Sequence, residues 1–321
     1  MRLLAFAVAF LLLFGCPAEQ PAAPAEGGTS PAQEGHFEIT GEEGASVSEG
    51  GVSGVEEPPA RQYTENSGAD LDVYFFNVGY GDNQGDAILI KKGDADILID
   101  AGPKMKEKDL VDFLREKGVD DIEILISTHD DPEHTGGMAY VASKFRIGEV
   151  WRSTEGSEAY RGLLNSLGAE DGVKEVWDGD TRTLNGMELI VVNPIKGPDR
   201  FFDPTNDGVV LQLEDRELCF LFTGDILYSA QQKVVEKVGH CEIVQFPNHG
   251  MSSGLANIDY FIATLEPEVL VISGSPKDWT KSRITLKEKA ELRDILVLEN
   301  YEGDSAVIEW NGQNYKAYVE T

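Results

Sequence analysis

The stretch Ile122-Glu-Ile-Leu-Ile-Ser-Thr-His-Asp-Asp-Pro-Glu-His-Thr-Gly-Gly137 constrains this chain more than any other. Ile122, Ile124, Leu125 and Ile126 form a short, β-branched apolar run that reads as a buried strand. It leads directly into His129, Asp130, Asp131, Glu133 and His134, five side chains able to bind metal within six residues. Carboxylates and imidazoles packed this closely repel or desolvate one another unless a cation lies between them.

The other strand-like runs end in the same way. Leu71–Val78 reads as a strand, and the runs 87–90 and 97–99 read as a hairpin that leads to Asp100-Ala-Gly102. Val209–Leu213 and Leu218–Phe222 form a second hairpin that empties into Thr223-Gly-Asp225. Ile243–Phe246 runs into Pro247-Asn-His-Gly250, and residues 295 onward read as closing strands. Leu110, Val111, Phe113 and Leu114 give a helical stripe that stops at Lys117-Gly118; further helices are expected over Met138–Lys144, Ser229–Val238 and Ala256–Leu265. Loops at strand ends are where chemistry is commonly mounted. If these ends converge, they build one site on one rim. Hairpins and helices in two similar halves predict a mixed α/β, four-layer αββα sandwich spanning residues 71–321.

The amino-terminal part has a different composition. Met1-Arg2, the apolar run Leu3–Phe14 and Gly15-Cys16 have the parts of a secretory signal, and the run is too short for an ordinary membrane span. Leu13-Phe-Gly-Cys16 resembles a lipoprotein cleavage box, with Cys16 as the lipidated residue. Residues 1–16 are thus expected to be a lipoprotein-type signal peptide, leaving an exported chain anchored outside the membrane, or a secreted one if Cys16 is not lipidated. Residues 17–70 hold eleven acidic residues against Arg61 alone, with almost no large apolar side chains. This composition predicts a disordered tether containing an idle His36.

Formal charge is −30; setting aside the −10 of the tether and the +1 of the leader leaves −21 for residues 71–321. That balance disfavours non-specific binding of polyanions. Cys219 and Cys241 lie in apolar runs and read as buried strand thiols, with a cross-strand disulfide as the alternative.

Taken together, Asn77-Val-Gly-Tyr-Gly-Asp82, Gly85-Asp-Ala-Ile-Leu-Ile90, Leu98–Gly102, Ser127–Gly137, Asn206 with Val209–Leu213, Phe222–Ile226 and Phe246–Gly250 resemble metallo-β-lactamase-fold proteins. Within that superfamily they are most similar to the soluble hydrolase domain of ComEC-type competence DNA-uptake proteins. The resemblance implies two divalent metal ions, Zn²⁺ or Mn²⁺ with Mg²⁺ also suited, and a metal-bound hydroxide that cleaves a phosphodiester or nucleic acid. Carried over by position, His129 and Asp131 with His249 or Asn248 would hold one ion; Glu133, His134 and a bridging Asp225 would hold the other. Glu133 and Asp225 would be catalytic, Glu133 as a water-orienting base. Asp100 would fix a ligand histidine from behind, with Asn206 and Asn248 as supporting groups or ligands. Glu133 stands where the family usually has Asp, Asn248 where it often has His, and Asn77 replaces the opening Asp. The alternatives are a hydrolase of a small ester, lactone or amide, and a catalytically degenerate binding module. His240 is expected to be a helix-end cation rather than a ligand.

Overall fold

The structure is a computed structural model, which describes residues 70–81, 83–251, 258–275 and 281–321. The expected signal peptide, Cys16, His36 and the expected tether up to residue 69 lie outside the described residues. Every described residue falls in one compact unit, Pro59–Thr321.

Strand β1 (Leu71–Phe76) is followed by the hairpin β2 (Ile88–Lys92) and β3 (Ala95–Ile99), helix α1 (Glu107–Glu116) and strand β4 (Asp121–Ser127). Two short helices, α2 (Pro132–Thr135) and α3 (Met138–Ala142), precede β5 (Arg146–Arg152), α4 (Glu158–Asn165) and β6 (Val173–Glu175). The second half begins with β7 (Thr181–Leu184), β8 (Met187–Asn193), β9 (Val210–Asp215) and β10 (Leu218–Phe222). It continues with α5 (Tyr228–Val238), β11 (Ile243–Gln245), α6 (Ile258–Leu265), β12 (Val269–Ile272), α7 (Lys281–Glu291) and β13 (Leu296–Glu299). Finally β14 (Ser305–Trp310) and β15 (Tyr315–Glu320) return to the first sheet.

The strands form an eight-stranded sheet, β15-β14-β1-β2-β3-β4-β5-β6, and a seven-stranded sheet, β13-β12-β11-β10-β9-β8-β7. Three separate apolar cores define the layers. One joins residues of both sheets, among them Phe75, Ile124, Ile126, Phe220 and Phe222. A second packs Leu89, Leu98 and Leu125 against Leu110, Leu114 and Val141 of the helices beside the first sheet. A third packs Leu221, Val244 and Leu270 against Val234, Phe261 and Leu286 beside the second. The result is the expected αββα sandwich. Alternation explains it: successive side chains of a strand serve opposite faces, so Ile124 and Ile126 enter the inter-sheet core while Leu125 meets the helices.

One expectation needs correction, and one element went unread. Cys219 and Cys241 are not free thiols but a disulfide, with Cα atoms 5.0 Å apart. Cys219 is the second residue of β10 and Cys241 precedes its parallel neighbour β11, so the pairing of these strands brings the two sulfurs together. Helix α7 has no counterpart in the sequence reading, because Ile284, Leu286 and Ala290 are its few apolar residues and give no continuous stripe.

Candidate metal centre

Four strand ends converge on one rim. From the first sheet, β3 delivers Asp100, and β4 delivers Thr128 and His129, with His134 on the following turn, α2. From the second sheet, β10 delivers Asp225 and β11 delivers His249. Asp225 is the hub: its Oδ2 lies 3.4 Å from His134 Nε2 and 3.9 Å from His129 Nε2, and its Oδ1 lies 3.3 Å from His249 Nε2. The imidazole rings of His129 and His134 are 4.3 Å apart, and those of His134 and His249 are 5.5 Å apart.

In each imidazole the remote nitrogen, Nδ1, is occupied. His249 Nδ1 donates to the Ser273 carbonyl at 3.1 Å, an acceptor that leaves no choice of tautomer. His134 Nδ1 donates to Asp100 Oδ2 at 2.7 Å. Thr128 Oγ1 donates to the same Asp100 oxygen at 2.6 Å, and His129 Nδ1 donates to that hydroxyl at 3.0 Å. One buried carboxylate thus fixes two histidines. All three Nε2 atoms face Asp225. Asp100 is held for this by Thr128 N, 2.9 Å from its Oδ1, and by a left-handed backbone (φ 59) that Asp tolerates better than most residues.

Electrostatics follow from this arrangement. Burial pushes the Asp225 carboxyl up, but the His249 and His134 charges outweigh it and hold it well below the usual range. Against the opposing effect of burial, Asp225 and Asp100 raise His134 well above the ordinary imidazole value, and Asp225 raises His249. His129 is lowered, first by burial and then by His134.

The set fits a metal ion. His134 Nε2, His249 Nε2 and Asp225 Oδ1 are buried and make no properly aligned hydrogen bond, although they lie 3.3–3.4 Å from a complementary atom. Polar atoms this deeply buried ordinarily find a well-aligned partner. Atoms that approach without aligning on each other suit a shared third body. His129, His134, Asp225 and His249 would hold it.

The remaining predicted residues are placed as follows. Asp131 caps α2, its Oδ1 accepting Glu133 N at 2.9 Å, and is not among the converging groups. Glu133 is half-buried on α2; burial and the neighbouring Asp131 raise its carboxyl. Asn206 Oδ1 accepts Leu227 N at 3.0 Å and so braces the turn after Asp225. Asn248 adopts a left-handed backbone (φ 49), as does His249 (φ 53), and Asn248 N bonds to Gly224 O at 3.0 Å. His240 stands apart on Leu265 O and Glu242.

Three residues were given no role in the sequence reading. Asp86, 1% exposed, approaches His134 Nδ1 to 3.8 Å and lies among Asp225 and His249. Gln245 Nε2 donates to Asp86 Oδ2 at 2.7 Å, while its Oε1 accepts Thr223 N and Gly224 N at 3.1 and 3.2 Å. Arg283, fully buried, donates to His249 O at 2.8 Å and Ser275 O at 3.2 Å and supports the left-handed turn from beneath. An amide inside the apolar run Ile243–Phe246 was the available signal for Gln245.

The chain is 26% identical over 172 residues to ComE operon protein 3 of Bacillus subtilis, covering 52% of this chain and 22% of that protein. It is 25% identical over 214 residues to Recombination protein 2 of Haemophilus influenzae, covering 64% of this chain and 25% of the relative. The match therefore spans a quarter or less of these relatives' lengths. Among solved structures, the fold is similar to CmlA, a diiron beta-hydroxylase from Streptomyces venezuelae (TM-score 0.53, 14% identity, 76% of this chain and 55% of that one). It is also similar to Zn²⁺-bound PqqB from Methylobacterium extorquens (TM-score 0.51, 11% identity, 74% of this chain and 99% of that one). The family profile of the metallo-beta-lactamase superfamily matches residues 80–294, and the chain belongs to that superfamily.

Proposed function

We propose that this chain is a metal-dependent hydrolase of phosphodiester bonds, acting on nucleic acid or its fragments. The observation that carries the reading is the convergence of His129, His134 and His249 on Asp225, each with its outer nitrogen fixed. The names of the two relatives, a competence-operon protein and a recombination protein, favour a nucleic-acid substrate.

Bound there, divalent ions would supply Lewis acidity and lower the pKa of water. The two oxygens of Asp225 face different histidines, so His129, His134, His249 and Asp225 together offer donors enough to hold two ions. Three imidazoles suit Zn²⁺, with Mn²⁺ as the next choice. The chain's own residues orient and neutralise: Asp100 and Thr128 set the tautomers. Glu133, its carboxyl raised, stands at the rim as a proton acceptor. The net charge of residues 71–321 favours a second reading, hydrolysis of a small ester, lactone or amide.

The Cys219–Cys241 disulfide supports an oxidising compartment, and with the leader ending at Cys16 we place the enzyme outside the cell on a lipid anchor. A Cys16→Ser change is then expected to release it from membranes; unchanged fractionation removes the anchor.

The activity test combines elemental analysis of chain purified without chelator with cleavage of bis-(p-nitrophenyl) phosphate in Mn²⁺ or Zn²⁺. Bound metal and turnover, both lost in Asp225→Ala, support the phosphodiesterase. Metal without turnover favours the small-substrate reading. No metal at all would leave a binding module.

A further inference from the structure

The loop between β8 and β9 ends against the metal centre and carries a feature the hydrolytic chemistry does not use. Val209 N bonds to Thr128 O at 2.8 Å, Asn206 braces Leu227, and a Cβ at Gly208 would meet that of His129 at 3.7 Å. The preceding residues form one closed turn, Asp207 N donating to Asp203 O at 2.8 Å and Asn206 N to Asp203 Oδ1 at 2.8 Å. Asp207, fully buried, accepts Phe201 N at 3.2 Å and Asp203 N at 3.3 Å, one on each carboxylate oxygen.

This cage presents Phe202 outward. Its side chain is 69% exposed, and its backbone is left-handed (φ 55), a conformation that costs a bulky residue energy and persists only where the surroundings enforce it. Beneath the ring lies the Arg200 guanidinium, 4.9 Å from the Phe202 centroid and 5.3 Å from that of Trp177, tied to Glu155 and 3.8 Å from Asp207. Here the loop spends backbone strain to hold the Phe202 ring in water, four residues before the Asn206 that braces the turn after Asp225.

Resting on the phosphodiesterase reading, we propose that Phe202 on Arg200 is a stacking platform for a nucleobase of a single-stranded substrate whose phosphate enters the metal centre. Base–aromatic stacking accepts every base, and each stacked base contributes to affinity independently of phosphate contacts. That suits this chain. The open cavity beside the loop is lined by Lys196, Lys233 and Lys237 against Asp178, Asp199 and Glu236, so it offers no net pull on a polyanion. Stacking is the route to affinity that an acidic surface leaves.

The test uses the full chain with Mn²⁺ and two substrates of equal length, a short oligothymidylate and its abasic counterpart, which keeps every phosphate and lacks every base. Wild type is expected to favour the oligothymidylate through KM. Phe202→Ala is expected to raise that KM about tenfold and erase the preference, and Phe202→Trp to restore it. Equal KM for both substrates in wild type, or a preference that survives Phe202→Ala, overturns the platform while leaving the phosphodiesterase standing. Failure to cleave either substrate, in a sample that carries metal, overturns the nucleic-acid reading and the platform with it.

Discussion

Gln245 and Asp86 come from opposite sheets and meet at the floor of the metal centre through a 2.7 Å hydrogen bond. The same amide accepts the backbone N–H groups of Thr223 and Gly224, the two residues before Asp225. Gln245 therefore sets the spacing between the half that supplies His129 and His134 and the half that supplies Asp225 and His249. Gln245→Met removes all three bonds at nearly constant volume and is expected to weaken Zn²⁺ binding at least tenfold, the usual cost of losing a group that orients ligands. Gln245→Glu keeps the acceptor for Thr223 and Gly224 but faces Asp86 with a second carboxylate, so it isolates the contribution of the inter-sheet bond. Competition against a chelator measures both. Equal affinity in wild type and both variants would make Gln245 a space-filler.

Asp100 acts on two histidines at once, so its loss reaches beyond one ligand. Asp100→Asn is the informative change, because Asn also tolerates the positive φ and leaves the turn intact. The amide cannot accept from both Thr128 Oγ1 and His134 Nδ1 with the strength of a carboxylate. Zn²⁺ affinity is expected to fall ten- to a hundredfold with little change in thermal midpoint. Histidine nitrogen shifts in NMR supply a second readout: His134 and His129 should lose their fixed Nδ1–H tautomer while His249, held by Ser273 O, keeps it.

What the sequence disclosed, it disclosed through periodicity and proximity. β4 is legible because its apolar run is short and β-branched, and His129 to His134 are legible because five such groups crowd six positions. Asp225 and His249 are isolated in sequence; only the repetition of strand-then-polar-knot pointed to them. Asp86 follows a glycine and passes for an ordinary turn residue. Its meaning depends on Gln245, which arrives from 159 residues away. Arg283 lies on a helix without an apolar stripe, and the cysteine pairing depends on which strands are neighbours. Long-range relations of this kind leave no local mark.

The Cys219–Cys241 bridge closes a loop with a sequence separation of 22 between adjacent parallel strands of the second sheet. Loop-closure reasoning gives ~3 kcal/mol of stabilisation for a loop of this size. Denaturant unfolding of Cys219→Ala/Cys241→Ala should show a loss of that order. Adding reductant should lower wild type toward the variant and leave the variant unmoved. The bridge lies at the start of β10, opposite the end that carries Asp225, so bound metal should be retained in both forms.

The first sheet holds a charge conflict far from the site. Asp72 on β1 lies directly across from Glu309 on β14, and from Lys91 on β2 on its other side. Its carboxyl is raised, first by burial and then by Glu309, with Lys91 opposing. A raised carboxyl makes the ionised form unfavourable in the folded state. Its contribution is therefore destabilising at neutral pH, sets in as pH rises from the unfolded value of 3.8 through the higher folded value, and vanishes below 3.8. Asp72→Asn should then stabilise the chain at pH 7 by ~0.5 kcal/mol, since solvent screens a half-buried group, and should change nothing near pH 3. Glu309→Gln should reproduce only the smaller part of the gain, because the burial of Asp72 remains, and the double variant should gain less than the sum because both changes remove the same repulsion. Stability that falls in Asp72→Asn at pH 7 would mean that the Lys91 attraction dominates the pair.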